Sequence, residues 1–319
     1  MTYELPLRAA LIGCGGRGRA HLDTLYTSVD VDFVAVCDPD AALISLVHDK
    51  YGIRSGYDTV EALLEKETID LAIVAAPAHL NARVALPLLD RGINTILEKP
   101  PGLSSEETRS LKASADRTGA RCIVGWNRRF HPLLVNAREM IEARGPVVQI
   151  SAEFHKSMSR LDTGRWPDRV MDNMLLETPI HALDMCRAIA GSEVRKVYSV
   201  ERRSIARFVD IHAALIVFEN GCVAQFSANY TTDARLERYE IHGNGISAYL
   251  EGVKEGVVVS DGDSIKLHGA DSGGGTREQN QYFVECIKND LPVQLPAADL
   301  NEAIKTMELA ERVREGLID

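Results

Sequence analysis

The sequence predicts an α/β chain in two parts. A doubly wound parallel sheet occupies the first 126 residues. An α+β region with a large, mainly antiparallel, open-faced sheet follows. Three observations predict this. From Leu7 to Trp126, short apolar runs alternate with helical stretches. The first run breaks into a glycine-rich turn, Gly13-Cys14-Gly15-Gly16-Arg17-Gly18. After Trp126 the chain changes to alternating strands joined by turn signals such as Glu219-Asn220-Gly221 and Ser260-Asp261-Gly262. Near-continuous apolar strands separated by helices read as a parallel sheet covered on both faces, and alternating strands as a half-covered antiparallel one.

The first strand, Ala9–Ile12, runs straight into the glycine turn. Gly13 permits a tight turn, Gly15 lets the backbone approach a pyrophosphate, and Gly18 lets the next helix pack close to the strand. The first amides of that helix then face the phosphates, where the helix dipole favours negative charge. This is the phosphate cradle of a Rossmann domain. A second strand, Phe33–Cys37, ends at Asp38. A carboxylate at that tip bonds ribose hydroxyls and repels a 2′-phosphate, so the cofactor reads as NAD rather than NADP. Arg17 and Arg19 stand as further phosphate contacts. The competing reading of the same stretch is an Asp38-Pro39 turn with Asp40 as a helix cap.

Further strands read at Leu71–Ala75, Thr95–Glu98 and Cys122–Gly125, with helices at Thr59–Lys66, Ala82–Leu89 and Glu106–Arg117. Ser104 and Glu107 form a Ser-x-x-Glu capping box for the last of these. Right-handed connections make the domain doubly wound. Beyond it lie a helix (Leu133–Ala143), a strand (Val147–Phe154), a polar loop (Lys156–Arg169) and a helix (Ile180–Ala190). Strands follow at Val197–Arg202, Ala213–Phe218, Val223–Ala228, Glu240–His242, Val257–Val259 and Ile265–Leu267. Ser272-Gly273-Gly274-Gly275 reads as a flexible loop before a helix, Arg277–Ile287. The last helix, Leu300–Arg314, has Asp299 as cap and Glu302 three residues on. The domains therefore read as 1–126 for the dinucleotide and 127–319 for substrate binding and oligomerisation, with the last helix (299–316) packing back on the first domain.

At 319 residues, two domains are the natural expectation. Apolar content of 45% and charged content of 26% fit a globular protein able to bury a core. A net charge of −10 argues against nucleic acid or an anionic membrane as partner. No apolar run approaches membrane-spanning length, and the N-terminus lacks signal-peptide character. The six cysteines are scattered, without a Cys-x-x-Cys or a metal-ligand cluster. They read as buried reduced thiols of a cytoplasmic protein, with no metal site.

On three motifs the chain resembles the Gfo/Idh/MocA family of sugar and cyclitol oxidoreductases. These are the glycine loop with Cys37-Asp38-Pro39, Glu98-Lys99-Pro100, and Leu176-Glu177-Thr178-Pro179-Ile180-His181-Ala182-Leu183-Asp184. Val124-Gly125-Trp126-Asn127-Arg128-Arg129-Phe130 also resembles the segment that leaves the family's cofactor domain. The resemblance implies an NAD-binding N-terminal domain. It also implies a carbohydrate-like substrate held between nicotinamide and the C-terminal domain, and homodimers or homotetramers formed through the open sheet.

It further implies that His181 is the base taking a hydroxyl proton, assisted by Glu177, and that Lys99 polarises the substrate oxygen. The family usually has Asp where Glu177 stands. Local sequence supports His181: Thr178-Pro179 reads as a cap and a first-turn proline, so the dipole keeps the imidazole neutral. Lys99 closes a buried strand, where ligands bind in such sheets. Cofactor contacts are expected from Gly13, Gly15, Gly16, Arg17, Gly18, Asp38, Ala76, Pro77, Glu98 and Lys99. Substrate contacts are expected from Asn127, Arg129, Arg165, Trp166 and Asp184. Where the family often carries a histidine four residues after Pro77, this chain has Asn81, and His79 is out of register. The activity expected is hydride transfer between nicotinamide and a hydroxyl-bearing carbon of a sugar, amino sugar or cyclitol. The alternatives are a non-catalytic NAD-binding sensor and a redox-neutral sugar enzyme that uses NAD transiently.

Overall fold

The computed structural model describes residues 6–157, 167–269 and 273–318. The chain divides into a first unit, 1–126 with 276–304, and a second, 127–275 with 305–319.

In the first unit, strands and helices alternate. They run β1 (Leu7–Ile12), α1 (Gly16–Leu25), β2 (Val31–Cys37), α2 (Ala41–Tyr51), β3 (Ser55–Tyr57), α3 (Val60–Lys66), β4 (Leu71–Val74), α4 (Asn81–Leu89), β5 (Asn94–Leu97), α5 (Ser105–Thr118) and β6 (Cys122–Val124). The strand order is β3-β2-β1-β4-β5-β6, and every pair is parallel. That is the doubly wound order whose switch point lies beside β1. The side chains of β4 and β5 are all buried, as expected of a sheet covered on both faces. The hydrophobic pattern does not predict the edge strand β3. It is three residues of Ser, Gly and Tyr, too short and too polar to give a period-2 signal.

Helix ends follow the local code. Ser104 Oγ accepts from the Glu107 amide at 3.1 Å, and Glu107 Oε2 accepts from the Leu103 amide at 2.6 Å, so the capping box forms. Asp40 caps α2 through the Ala42 amide, at 2.9 Å. The two readings of the Asp38–Asp40 stretch are thus compatible: Asp40 caps, and Asp38 remains at the strand tip.

The second unit opens with α6 (Pro132–Glu142), β7 (Gln149–Ser157), a short α7 (Asp168–Met171) and α8 (Ile180–Ala190). Seven strands follow: β8 (Val194–Arg202), β9 (Ile211–Phe218), β10 (Val223–Asn229), β11 (Thr231–Gly243), β12 (Ile246–Glu251), β13 (Glu255–Ser260) and β14 (Asp263–His268). The chain then makes α9 (Thr276–Lys288), α10 (Leu300–Arg314) and β15 (Leu317–Ile318). Helix α9 packs on α1 within the first unit. Helix α10 begins in the first unit and continues in the second. Asp299 caps it by accepting from the Glu302 amide at 2.9 Å.

The nine-stranded sheet has the order β14-β13-β12-β11-β7-β10-β9-β8-β15. The β7–β10 and β8–β15 pairs are parallel and the rest antiparallel. One face is covered: α8 lies on β7 and β10, and α6 on β11 and β12. Ile150, Ala152, Phe154, Ala224, Phe226, Tyr239 and Ile241 are buried there. The other face is open. Tyr198, Leu215, Gln225, Ser151, Glu240 and Tyr249 are successive register partners across it.

Two strand expectations need correction. Strand β11 spans thirteen residues rather than Glu240–His242, and the pattern does not predict β12. The run from Arg235 to Glu240 is mostly charged, which hides a strand from a hydrophobic pattern. Ion pairs hold those charges in the sheet instead: Arg128 with Glu237 at 2.7 Å, and Arg238 with Glu240.

All six cysteines are free and buried. Burial pushes the thiols of Cys14 and Cys37 up to about 12, with the Asp38 charge adding to the effect, so neither is a thiolate at neutral pH. No helix among the described residues is long and apolar enough to cross a membrane.

Candidate active site

Within the first unit, parallel register lines up the candidate cofactor residues. Ile12 is partnered with Cys37 on one side and Val74 on the other, and Val74 with Leu97. The residues that follow, Gly13, Asp38, Ala75 and Glu98, therefore line up along one edge at the carboxyl ends of the strands. Ligands bind at that edge in open α/β sheets.

The glycines are there for stated reasons. Gly13 has φ +95°, and a Cβ on it would collide with the Ala75 carbonyl oxygen. A Cβ on Gly18 would collide with the Gly13 carbonyl oxygen, so the start of α1 can close on the turn only without a side chain. Gly15 and Gly16 differ. A Cβ on either would meet no protein atom within 4 Å. Gly15 is also the N-cap of α1, and no side chain among the described residues takes the first-turn amides. Open space in front of unclaimed amides fits a pyrophosphate.

Asp38 is 9% exposed. Its Oδ2 accepts from the Cys14 amide at 2.7 Å and its Oδ1 from the Asp40 amide at 2.9 Å. Each oxygen keeps a lone pair for a ribose hydroxyl. Ala76 is half-buried and Pro77 exposed in the turn after β4. The chain's own residues thus fit a dinucleotide.

Arg17 and Glu98, both expected at the cofactor, are bonded to each other. Arg17 Nε donates to Glu98 Oε1 at 2.5 Å, and its Nη2 donates to Thr276 Oγ1 at 3.2 Å. The same carboxylate oxygen lies 2.8 Å from His21 Nε2, and His21 meets Asn280 through its other ring nitrogen. Burial alone would raise the Glu98 carboxyl, which is 4% exposed. The Arg17 charge and the His21 bond outweigh burial and hold it at about 2. Glu98 is therefore an ionised internal anchor beneath the segment that carries Lys99. Lys99 itself is half-buried, and the peptide bond to Pro100 is cis.

In the second unit, His181 is the second residue of α8 and is 7% exposed. The expected Thr178 cap is not formed. The N-cap is Pro179, and Thr178 Oγ1 bonds the Glu177 carboxylate instead. A carboxylate beside an ammonium is a stronger partner for that hydroxyl than a helix amide. The ammonium is that of Lys156, whose Nζ donates to Glu177 Oε1 (3.1 Å), Glu177 Oε2 (3.0 Å) and Thr178 Oγ1 (3.2 Å). Tyr230, fully buried, donates its hydroxyl to the Met174 carbonyl at 2.8 Å. Burial pushes its phenol well above 10, and the Glu177 charge adds to this.

The sequence pattern sets Lys156 at the start of a polar loop, but it lies within β7. Strand parity carries the missed signal: it is in phase with Ile150, Ala152 and Phe154, which are buried.

The substrate-side expectations divide. Arg129 and Asp184 are each 1% exposed in their side chains and form a two-pronged pair, Nε–Oδ2 at 2.8 Å and Nη2–Oδ1 at 2.7 Å. Thr306 donates to the same Asp184 oxygen at 2.9 Å. Asn127 donates to the Gly274 carbonyl at 2.8 Å and steadies the glycine turn 273–275. Arg165 and Trp166 lie outside the described residues. No group of three or more His, Cys, Asp or Glu among the described residues could hold a metal.

Residues 7–126 match the model of an oxidoreductase family with an NAD-binding Rossmann fold, and residues 134–248 match the GFO/IDH/MocA C-terminal domain. Scyllo-inositol 2-dehydrogenase (NAD(+)) of Bacillus subtilis is 26% identical over 304 residues, covering 90% of this chain and 87% of that protein. D-xylose 1-dehydrogenase (NADP(+)) 2 of Haloferax volcanii is 23% identical over 322 residues, covering 96% and 95%. Among solved structures, GenD2 from gentamicin A biosynthesis, in complex with NAD, superposes with a TM-score of 0.84 at 23% identity, covering 98% of this chain and 94% of that one.

Proposed function

Because the chain belongs to the Gfo/Idh/MocA oxidoreductase family, we propose that it is an NAD-dependent dehydrogenase of a hydroxyl-bearing carbon in a sugar, amino sugar or cyclitol. The observation that carries the reading is the edge of the parallel sheet. Register aligns the glycine turn, Asp38 and the Glu98–Lys99 segment there, and α1 offers unclaimed amides beside them.

Oxidising a secondary alcohol breaks a C–H bond and an O–H bond. NAD⁺, when bound, accepts the hydride with its electron pair. We assign the hydroxyl proton to an imidazole nitrogen of His181. Lys99 donates to the substrate oxygen and holds its negative charge as the proton leaves. Glu177, held by Lys156, assists His181. Arg129 and Asp184, paired with each other and buried, brace α8 from within.

The test is NADH formation on cyclitols, free sugars, sugar acids and nucleotide sugars, run in parallel with NADP⁺. We expect turnover on one class and a preference for NAD⁺. Gly15→Ala is the matched control. The added methyl meets no protein atom, so melting should be unchanged, while the NAD⁺ Kd should rise about tenfold or more. NAD⁺ binding without turnover on any class would instead support a sensor or a redox-neutral sugar enzyme.

We further propose that the open sheet face pairs with a second copy of the chain. Tyr198, Val200 and Leu215 are exposed together on β8 and β9. Light scattering should give a dimer or tetramer mass, and Leu215→Arg should lower it; a monomer for the unaltered chain sinks the idea. The buried reduced thiols support a cytoplasmic location, which cell fractionation checks.

A further inference from the structure

Asn81 opens α4 and is completely buried. Its Nδ2 donates to the Glu98 carbonyl at 3.0 Å and to the Pro100 carbonyl at 2.8 Å. An amide nitrogen has two N–H bonds, and both are used. The two carbonyls flank Lys99. On the amide side, the Glu98 nitrogen donates to the Val74 carbonyl at 2.8 Å, and the Lys99 nitrogen donates to Glu98 Oε2 at 3.2 Å. Arg17 and His21 fix that carboxylate in turn.

The arrangement has a local penalty. Asn81 Oδ1 is buried, and no described residue donates to it. A buried acceptor without a donor is destabilising, and such groups persist where a site needs them. Turning the amide over would satisfy neither end, because it would set Oδ1 against two carbonyl oxygens.

We propose that Asn81 is a positioning residue for Lys99, clamping the peptide on both sides of it so that the ammonium is held at the edge of the sheet. The proposal rests on the reading of Lys99 as the group that polarises substrate. A histidine at this place would present one N–H to the two carbonyls and could hold only one of them.

The test reads Lys99 directly and needs no substrate. The full chain is treated with trace acetic anhydride, and peptide mass spectrometry gives the acetylation rate of each lysine, with and without NAD⁺. In Asn81→Ala, the Lys99 rate should rise about threefold or more relative to Lys50, because the loosened segment samples solvent. Lys156 and Lys50 should not change relative to one another. Asn81→His should fall between wild type and Asn81→Ala. A purely structural role would lower the melting temperature and shift all lysines alike.

An unchanged Lys99 rate in folded Asn81→Ala overturns the proposal. Should that variant not fold, the decision passes to Asn81→His, where an unchanged rate does the same. Turnover separates this proposal from the reading it rests on. If Lys99→Ala keeps normal turnover, the role of Lys99 falls, whatever the labelling shows. If Lys99→Ala is crippled, adding Asn81→Ala should lower turnover no further, since the group being positioned is gone.

Discussion

Lys99→Ala and His181→Ala should each lower kcat by at least about 10²–10⁴-fold, the range a positioned proton-transfer group supplies. NAD⁺ affinity should stay within about threefold in His181→Ala, because the glycine turn, Asp38 and Lys99 are untouched. Stopped-flow NADH formation and fluorescence titration measure the two quantities. The variants separate the residues by pH as well as by rate. If His181 is the base, its loss should remove the acid limb of the kcat/KM profile, since it works only when neutral. Near-normal turnover in a folded variant removes that residue from the mechanism.

Asp184→Ala should act on stability instead. It leaves the Arg129 guanidinium buried without its carboxylate, and Thr306 without its acceptor. Breaking a buried pair on one side costs about 3–5 kcal/mol, which in a protein of this size lowers the melting temperature by about 4–8 °C. Calorimetry of Asp184→Ala beside Glu177→Ala makes the comparison, since the Glu177–Lys156 pair is about a quarter exposed and should matter less to folding. Sequence and family resemblance instead predict Arg129 and Asp184 at the substrate. A raised KM with unchanged melting would restore that placement and refute the bracing role.

What the sequence made legible was local. The glycine turn, the Ser104–Glu107 box and the Asp299 cap each declare themselves within a few residues, and all are present. The parallel strands were legible because burial on both faces leaves a continuous apolar run. What stayed hidden depends on residues far apart in the chain. Asn81 meets carbonyls seventeen and nineteen positions away. His21 meets Glu98 across 77 positions and Asn280 across 259. Glu237 keeps a strand that its own neighbours would argue against, because Arg128 reaches it from 109 positions upstream. Glu98 shows the distinction best. Its motif marked it as functional, but only the folded chain shows its carboxylate turned inward to anchor Lys99.

The two amides held by Asp38 bear on how this protein could change over time. A shift toward a 2′-phosphorylated cofactor would begin by removing the negative charge at that position. Here the same carboxylate also closes the glycine turn through Cys14 and starts the next helix through Asp40. A smaller neutral side chain would leave one or both amides unanswered, at about 1–3 kcal/mol each. Cofactor choice and folding are therefore inherited together. A lineage, or an engineer, moving this chain from one cofactor to the other must first find a second residue to rebuild the turn.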